Sequence, residues 1–346
     1  MNCHLLIPGL RPPPLWIDAG LLRDFHSPAL QALLARSTPT PLLDEGKDAW
    51  LCRSFGVKKL HDWPVAALTL LAHGGNPGQG FWLLAEPVHL QLQRERMTLM
   101  GADNLDISPT EAHSLTEALN SHFANNRMTF FPTLPGCWHL RLDEPAQLET
   151  HPLEKVIGRN VRNFLPGGSD GKNWHRLLNE IQMLLHSHPV NENREQRGAL
   201  PVNSVWPWGS GVLPENLAAP YVGVWADDAL ACGLAIVAGI PGANAPETAA
   251  EFLQTARPGT HLVVLDALHS AALYGDVPRW HEGLMRLEKD WFEPLRKALA
   301  RGRISQLSLH VTGDTGTQIF VVSRGDLWKL WRRSKSLHQF FGAPTS

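Results

Sequence analysis

The chain has 346 residues, of which 43% are hydrophobic and 18% charged, and its formal net charge is -2. That balance describes a globular protein with a sizeable core, and the near-neutral charge gives no electrostatic reason to expect nucleic acid. The length allows one large domain, or a main domain carrying a smaller insert. The four cysteines, Cys3, Cys52, Cys137 and Cys232, lie far apart and form no CxxC pair, so spacing suggests neither a zinc knuckle nor a disulfide framework.

In chain order, HLLIPGL reads as a short buried strand running into a Gly/Pro loop. SPALQALLAR follows as a helix with Ser27 at the N-cap and Pro28 in the first turn. FWLLAEPVHLQL reads as two short strands broken at Pro87. SPTEAHSLTEALNSHF opens with a capping box, Ser108 to Glu111, and puts Ala112, Leu115, Ala118 and Leu119 on one helical face. MTFFP and WHLRL read as strands. WHRLLNEIQMLLHSH repeats apolar residues at helical spacing up to Pro189. DDALACGLAIVAGI reads as an apolar helix and HLVVLDAL as a buried strand. WHEGLMRLEKDWFEPLRKALARG reads as a long helix interrupted near Pro294, and SQLSLHVTGD and QIFVVS as the last strands. Strands alternating with helices at both ends predict a largely parallel α/β sheet formed by 1–80 and 166–346, with 81–165 as an α+β insert.

The stretch HPVNENREQRGALPVNSVWPWGSG, residues 188–211, holds three Asn, two Arg, three Gly and two Trp. Asn191, Arg194, Arg197 and Asn203 fit an anion site in which the Arg pair grips phosphate or carboxylate. They fit equally a polar scaffold in which Asn caps backbone groups and Trp packs over glycine; the scaffold is the expectation taken here. His186 and His188, at a helix end, fit capping better than metal binding.

Ligands of such sheets gather at the carboxyl ends of the strands. Pro8-Gly9-Leu10 follow the first strand, Asp266 and His269 follow HLVVL, and Asp314 and Thr315 follow LHVTG. Asp266, His269 and Asp314 have the donor types for one divalent cation, Mn or Zn, although Asp at a strand end is also ordinary turn chemistry.

The stretch LNEIQMLLHSHPVNENREQRGALPVNSVWPWGSG, the run ADDALACGLAIVAGI, the helix GDVPRWHEGLMRLEKDWFEPLRKAL and the strand end LHVTGD together resemble archaeal-type cofactor-independent phosphoglycerate mutases. These are members of the alkaline-phosphatase superfamily. As a whole the chain is similar to a proteobacterial family labelled regulatory protein RpfE or phosphoglycerate-mutase-like. The resemblance implies an alkaline-phosphatase-like three-layer α/β sandwich with a smaller α+β insert. It also shows what is missing. Pro8-Gly9-Leu10 stand where the superfamily has a metal-binding Asp-Gly-Leu. Trp63 or Pro64 stands where the Ser nucleophile belongs, and Ala67 replaces the following His. Gly313-Asp314-Thr315 keeps the Asp and loses the His of a Thr-Ala-Asp-His end. Asp266, His269 and Asp276 pair with a metal loop only in a blurred register, and Ser54 is an alternative hydroxyl in a different local context.

The expected function is therefore a regulatory or binding relative of the mutase, without two-metal phosphoryl transfer. No cofactor is expected; one divalent cation, Mn or Zn, is the alternative that Asp266, His269 and Asp314 leave open. The expected partner is a protein or a small phosphorylated or carboxylate ligand. The alternative is an active metal-dependent mutase or phosphatase with a rearranged site. No apolar run is long enough to span a membrane, and MNCHLLIPGL lacks the pattern of a secretory signal, so a cytoplasmic protein is expected. The basic, aromatic LWKLWRRSKSLHQFF is read as docking its rings on the core with its cations in water, rather than as a nucleic-acid or membrane site.

Overall fold

The computed structural model describes residues 1–93, 96–329 and 331–341. The chain forms two compact units, Met1–Gly56 with Asn216–Ser346, and Val57–Glu215. Among the described residues the strands in chain order are β1 (Asn2–Pro8), β2 (Thr38–Pro39), β3 (Phe81–Gln93), β4 (Arg96–Met100), β5 (Met128–Leu134), β6 (Cys137–Leu142), β7 (Ser204–Gly211), β8 (Gly223–Trp225), β9 (Gly242–Ala243), β10 (Thr260–Val264), β11 (Gln306–Gly313) and β12 (Gly316–Ser323).

In the first unit they form a seven-stranded sheet in the order β2-β12-β11-β1-β10-β8-β9. β1 pairs in parallel with β10 and β11, β10 with β8, and β8 with β9, while β12 and β2 add an antiparallel edge. The central strands are buried along most of their length because both faces are covered, as parallel sheets require. On one face Cys3, Leu5 and Ile7 of β1 join Val263, Leu307, Leu309 and Val311 in a core with Leu30, Leu33, Trp280, Leu284, Phe292 and Leu295 from helices. On the other face His4 of β1 stacks on His310 of β11, with ring centroids 5.0 Å apart, and Trp50 lies 4.3 Å from the His310 ring.

The sequence features of this unit act largely as expected. Pro28 begins the helix Pro28–Arg36 with Ser27 at the N-cap, but the cap itself comes from elsewhere. Glu288 accepts from the amides of Ala29 and Leu30 at 2.6 and 3.2 Å and from the Ser27 hydroxyl, a distant carboxylate at the positive helix end. The long helix is interrupted near Pro294: Val277–Leu287 passes through a π-turn, Glu288–Phe292, before Glu293–Ala300. Proline lacks the amide that the preceding turn would need.

The second unit is built on an antiparallel sheet, β4-β3-β6-β5, with β7 also paired to β3. β3 is one strand of 13 residues and is not broken at Pro87. Pairing with β6 ends at Leu84 and pairing with β4 begins at His89, so on that edge Pro87 falls where no ladder bond is called for. The helix Pro109–His122 carries the expected capping box, and Leu115 and Leu119 pack with Phe130, Trp138, Leu140, Trp174 and Ile181.

The unit boundaries lie at 56/57 and 215/216, whereas the sequence pattern placed them at 80/81 and 165/166. The difference has a physical source. The helix Gly171–His186 buries Trp174, Leu178, Ile181 and Leu185 in the core of the second unit, and β7 completes its sheet through β3.

His310 is buried in the parallel sheet, and burial together with neighbouring His4 pushes its imidazole down to about 3 from an ordinary 6.5. The unfolded chain takes up this proton near its ordinary value and the folded chain does not. Stability from this group is complete above pH 6.5 and falls as pH drops toward 3, by up to about 1.4 kcal/mol per pH unit. Chemical denaturation across this range is expected to show a shallower acid slope for His310→Gln than for the parent; identical slopes would contradict the assignment.

Candidate functional site

The carboxyl ends of β1, β10 and β11 are where a ligand of this sheet would sit. Asp266 opens a 3-10 turn directly after β10, and His269 begins the helix His269–Tyr274. Asp314 is exposed in the turn between β11 and β12. Asp276 caps the helix Val277–Leu287, accepting from the Arg279 amide at 3.0 Å. Among the described residues, one group of three or more His, Cys, Asp or Glu side chains brings its ligand atoms within 4.8 Å of one another, and it is His73, Cys137 and His139, not Asp266, His269 and Asp314.

Packing explains the strand ends. Pro8 closes β1 without a side-chain oxygen. Gly9 adopts φ of +76°, its carbonyl accepts from the Trp280 indole at 2.7 Å, and a Cβ there would lie 2.7 Å from the Leu268 carbonyl. Backbone and indole thus lie close about Gly9. Two residues on, Arg11 places a cation beside the β11–β12 turn. Its Nε donates to Thr315 Oγ1 at 2.8 Å, and its terminal nitrogens donate to Gln318 Oε1 at 3.3 Å and to the Phe341 carbonyl at 3.5 Å. Partial burial pushes the guanidinium below its ordinary value. The two-cation centre implied by the superfamily does not fit these residues: the first carboxylate is absent, and a guanidinium would repel a dication.

The segment aligned with the nucleophile is also a packing element. Val65 to Ala72 form a helix whose first residues are buried, and β7 lies directly against its start. A Cβ on Gly211 would fall 2.7 Å from Pro64 Cβ, so glycine is needed for this approach. Asp62 ties the segment down, accepting from the Trp63 amide at 2.9 Å, the Ser210 amide at 3.4 Å and the Thr150 hydroxyl. Burial raises its carboxyl above the usual range despite these bonds. Ser54 ends the helix Lys47–Ser54 and donates to Leu51 O of that helix at 2.8 Å.

The polar stretch 188–211 is a helix followed by a strand. His188 caps the helix Pro189–Gln196 by accepting from the Val190 amide at 3.2 Å, which needs a bare Nδ1, and burial lowers its pKa accordingly. Asn191 is buried and acts as a clamp: it donates to the carbonyls of Leu185 and Val202 at 2.7 and 2.9 Å and accepts from the Val202 amide at 2.8 Å. Asn203 makes a reciprocal pair with the Leu90 amide and carbonyl at 2.7 and 2.9 Å. Arg194 is fully buried. It donates to the carbonyls of Leu200 at 2.8 Å, of Asp106 at 3.4 Å and of Leu105, and to Glu111 at 3.0 Å. Arg197, half-exposed, grips the other Glu111 oxygen at 2.6 Å. Burial raises the Glu111 carboxyl, but the Ser108 hydrogen bonds and the Arg194 charge outweigh it and leave the group below its ordinary value. Trp206 and Trp208 are buried, with their indoles donating to His151 O and Glu86 Oε2, each at 2.8 Å.

The His73–Cys137–His139 group was not singled out from sequence. Cys137-Trp138-His139 sits on β6, where residues two apart share a face. His73 comes from the C-terminal end of the helix Val65–Ala72. The readable signal was Cys-x-His on an alternating strand; its third member lies 64 residues upstream.

The terminal segment follows the expectation in part: Phe340 and Phe341 pack on the core. Trp328 and Trp331 are 74% and 76% exposed, so they do not dock on the core, whereas Leu337 and Phe341 do. The short helix Leu337–Phe341 supplies the anchor that the tryptophans were expected to give. No helix among the described residues is long and apolar enough to cross a membrane.

Comparison with known proteins places this geometry. No family model matches the chain. Over 112 residues it is 33% identical to the 2,3-bisphosphoglycerate-independent phosphoglycerate mutase of Methanosarcina barkeri and 34% identical to that of Methanosarcina acetivorans. This stretch is a divergent relative of the corresponding segment of these mutases. The match covers 32% of this chain and 28% of each relative. The PH0037 protein of Pyrococcus horikoshii superposes on 93% of the chain and 87% of its own length, with a TM-score of 0.54 and 12% identity. The two share a fold, and the architecture is the alkaline-phosphatase-like α/β one expected from the sequence.

Arg194→Met is expected to cost about 3–5 kcal/mol, because it leaves the Leu105, Asp106 and Leu200 carbonyls without their donor and removes one of the two cations on Glu111. Urea unfolding measures this; a loss under about 1 kcal/mol would mean the guanidinium is dispensable to the fold.

Proposed function

We propose that this protein is a phosphoglycerate-mutase-like protein that does not carry out two-metal phosphoryl transfer and acts by binding a partner. The observation that carries the reading is Arg11: its guanidinium lies among Thr315, Gln318 and the Phe341 carbonyl at the strand ends, two residues after the Pro8-Gly9 pair that replaces the first metal ligand. Phosphoryl transfer between two hydroxyls needs a nucleophile that holds the group and cations that balance its charge. Trp63, Pro64, Val65, Ala66 and Ala67 offer no such nucleophile. Asp266, His269 and Asp314 are not brought into one cluster, so a single cation there is left without a shared set of ligand atoms.

A small-anion role for Asn191, Arg194, Arg197 and Asn203 is less well supported than a scaffold role. The guanidinium of Arg194 is already satisfied by three carbonyls and a carboxylate, and both asparagines are spent on backbone groups. Binding surface is available elsewhere. The indoles of Trp328 and Trp331 stand in solvent with Arg333 and Lys335 also exposed, a pattern that suits an acidic protein partner. The regulatory part of the reading rests on the likeness of the whole chain to the RpfE-labelled family, and a cytoplasmic setting is part of the same proposal.

A coupled mutase assay with excess manganese tests the proposal. Activity is expected to stay at background for the parent chain and for Ser54→Ala and Asp266→Asn alike. Turnover in the ordinary enzyme range of roughly 1 to 1000 per second, abolished by either substitution, would establish a working rearranged site and overturn the reading.

A further inference from the structure

His73, Cys137 and His139 each bring one ligand atom within 4.8 Å of the other two. The rings of His73 and His139 meet edge-on, with centroids 6.1 Å apart at 79°. Nδ1 of His73 is buried and has no hydrogen-bond partner, a cost that a core seldom carries without a reason. From these observations we infer that the second unit holds a binding site for one zinc-like transition-metal ion, with His73, Cys137 and His139 as protein ligands. The inference is independent of the strand ends and of the proposed loss of mutase chemistry.

The donor set selects the ion. One sulfur and two imidazole nitrogens suit zinc and other borderline or soft ions, and disfavour magnesium, calcium and manganese. Tetrahedral zinc, at ~2.3 Å from sulfur and ~2.0 Å from nitrogen, needs its ligand atoms about 3.5 Å apart. A side-chain adjustment of roughly one ångström therefore closes the group.

The surrounding groups prepare the ligands. Thr69 donates its hydroxyl hydrogen to the carbonyls of Val65 and Ala66 at 3.0 and 3.1 Å. Its oxygen is thus an acceptor for His139 Nε2 at 3.0 Å, which places the ring proton on Nε2 and leaves Nδ1 with the lone pair. In this structure Nδ1 takes a hydrogen bond from the Thr133 hydroxyl at 2.8 Å, and a metal would replace it. An imidazole held in one tautomer by its second nitrogen is the usual support for a metal-ligating histidine. Burial lowers both imidazoles, His139 to about 3, so both are neutral and able to ligate at neutral pH.

Cys137 completes the set. Burial, aided by the Glu86 carboxylate, pushes its thiol up to about 12, so without metal it is not a ready nucleophile. Binding zinc forms a Zn–S bond, breaks the S–H bond and releases one proton to solvent. The resulting thiolate and the nearby Glu86 carboxylate together balance a dication. Glu86 is itself held by the Trp208 indole at 2.8 Å, which links the site to the WPWG strand. Three protein ligands leave a fourth position of tetrahedral zinc to be filled by water.

Cobalt(II) titration of the purified full chain, followed by displacement with zinc, tests the inference. The expected result is one equivalent per chain, a thiolate-to-cobalt charge-transfer band and release of one proton. Affinity should fall by ~100-fold or more in Cys137→Ser and His73→Gln, and by roughly 10–100-fold in Thr69→Ala, which removes only the support of His139. Cys232→Ser, a thiol in the other unit, should bind as the parent does, and metal-free melting curves confirm that each variant is folded. No charge-transfer band in the parent, or full binding retained in folded Cys137→Ser, would overturn the inference. Stoichiometry lost in Cys232→Ser would overturn it as well.

Discussion

The guanidinium of Arg11 bonds the end of the first strand of the parallel sheet to the turn and strand beside it. Strand ends of such sheets collect ligands because backbone amides and side chains converge there on open space. Here the protein's own groups lie close about that end of β1. Pro8 offers no donor, Gly9 is pressed against the Leu268 carbonyl and the Trp280 indole, and Arg11 bonds to Thr315, Gln318 and Phe341 O. A fixed positive charge therefore lies beside the β11–β12 turn. It also ties the end of β1 to the β11–β12 hairpin and to the last helix. Pro8 and Arg11 thus give this end of the sheet a cation and no carboxylate at these two positions.

The second unit uses its polar residues in the same inward manner. Arg194, Asn191 and Asn203 look like ligand residues in sequence, yet each supplies hydrogen bonds that the backbone would otherwise lack. Glu111 serves two purposes, closing the capping box at Ser108 and pairing with both Arg194 and Arg197. Buried charges persist in folded proteins when they are paired and hydrogen-bonded, and this set meets both conditions. Among the described residues two buried ring nitrogens lack a partner, Nδ1 of His310 and Nδ1 of His73, and of these His73 is the one grouped with a cysteine and a second histidine, Cys137 and His139.

Much of the fold was legible because it rests on local rules. Runs such as HLLI, HLVV and SLHV mark strands buried on both faces, and Ser108 with Glu111 marks a helix start. The misread parts are those decided by distant partners. Pro87 argued for a broken strand, but pairing on that edge switches from β6 to β4 around it. The unit boundaries shifted because β7 and the helix Gly171–His186 find their partners in β3 and its core. Trp328 and Trp331 were expected to dock, but Leu337 and Phe341 take that place. The candidate site was legible only as residue types. That Asp266, His269 and Asp314 fail to share one centre, while His73 meets a Cys-x-His strand, depends on contacts that no spacing in the sequence encodes.

The central claim, that the protein's own groups close the strand ends of the parallel sheet against a pair of cations, is tested most directly by anomalous scattering. Crystals grown with manganese in excess would be measured at the manganese edge. The account predicts no anomalous peak among Pro8, Arg11, Asp266, His269 and Asp314, with the Arg11 guanidinium ordered against Thr315 and Gln318. Two peaks roughly 4 Å apart at that position, with Arg11 displaced, would contradict it.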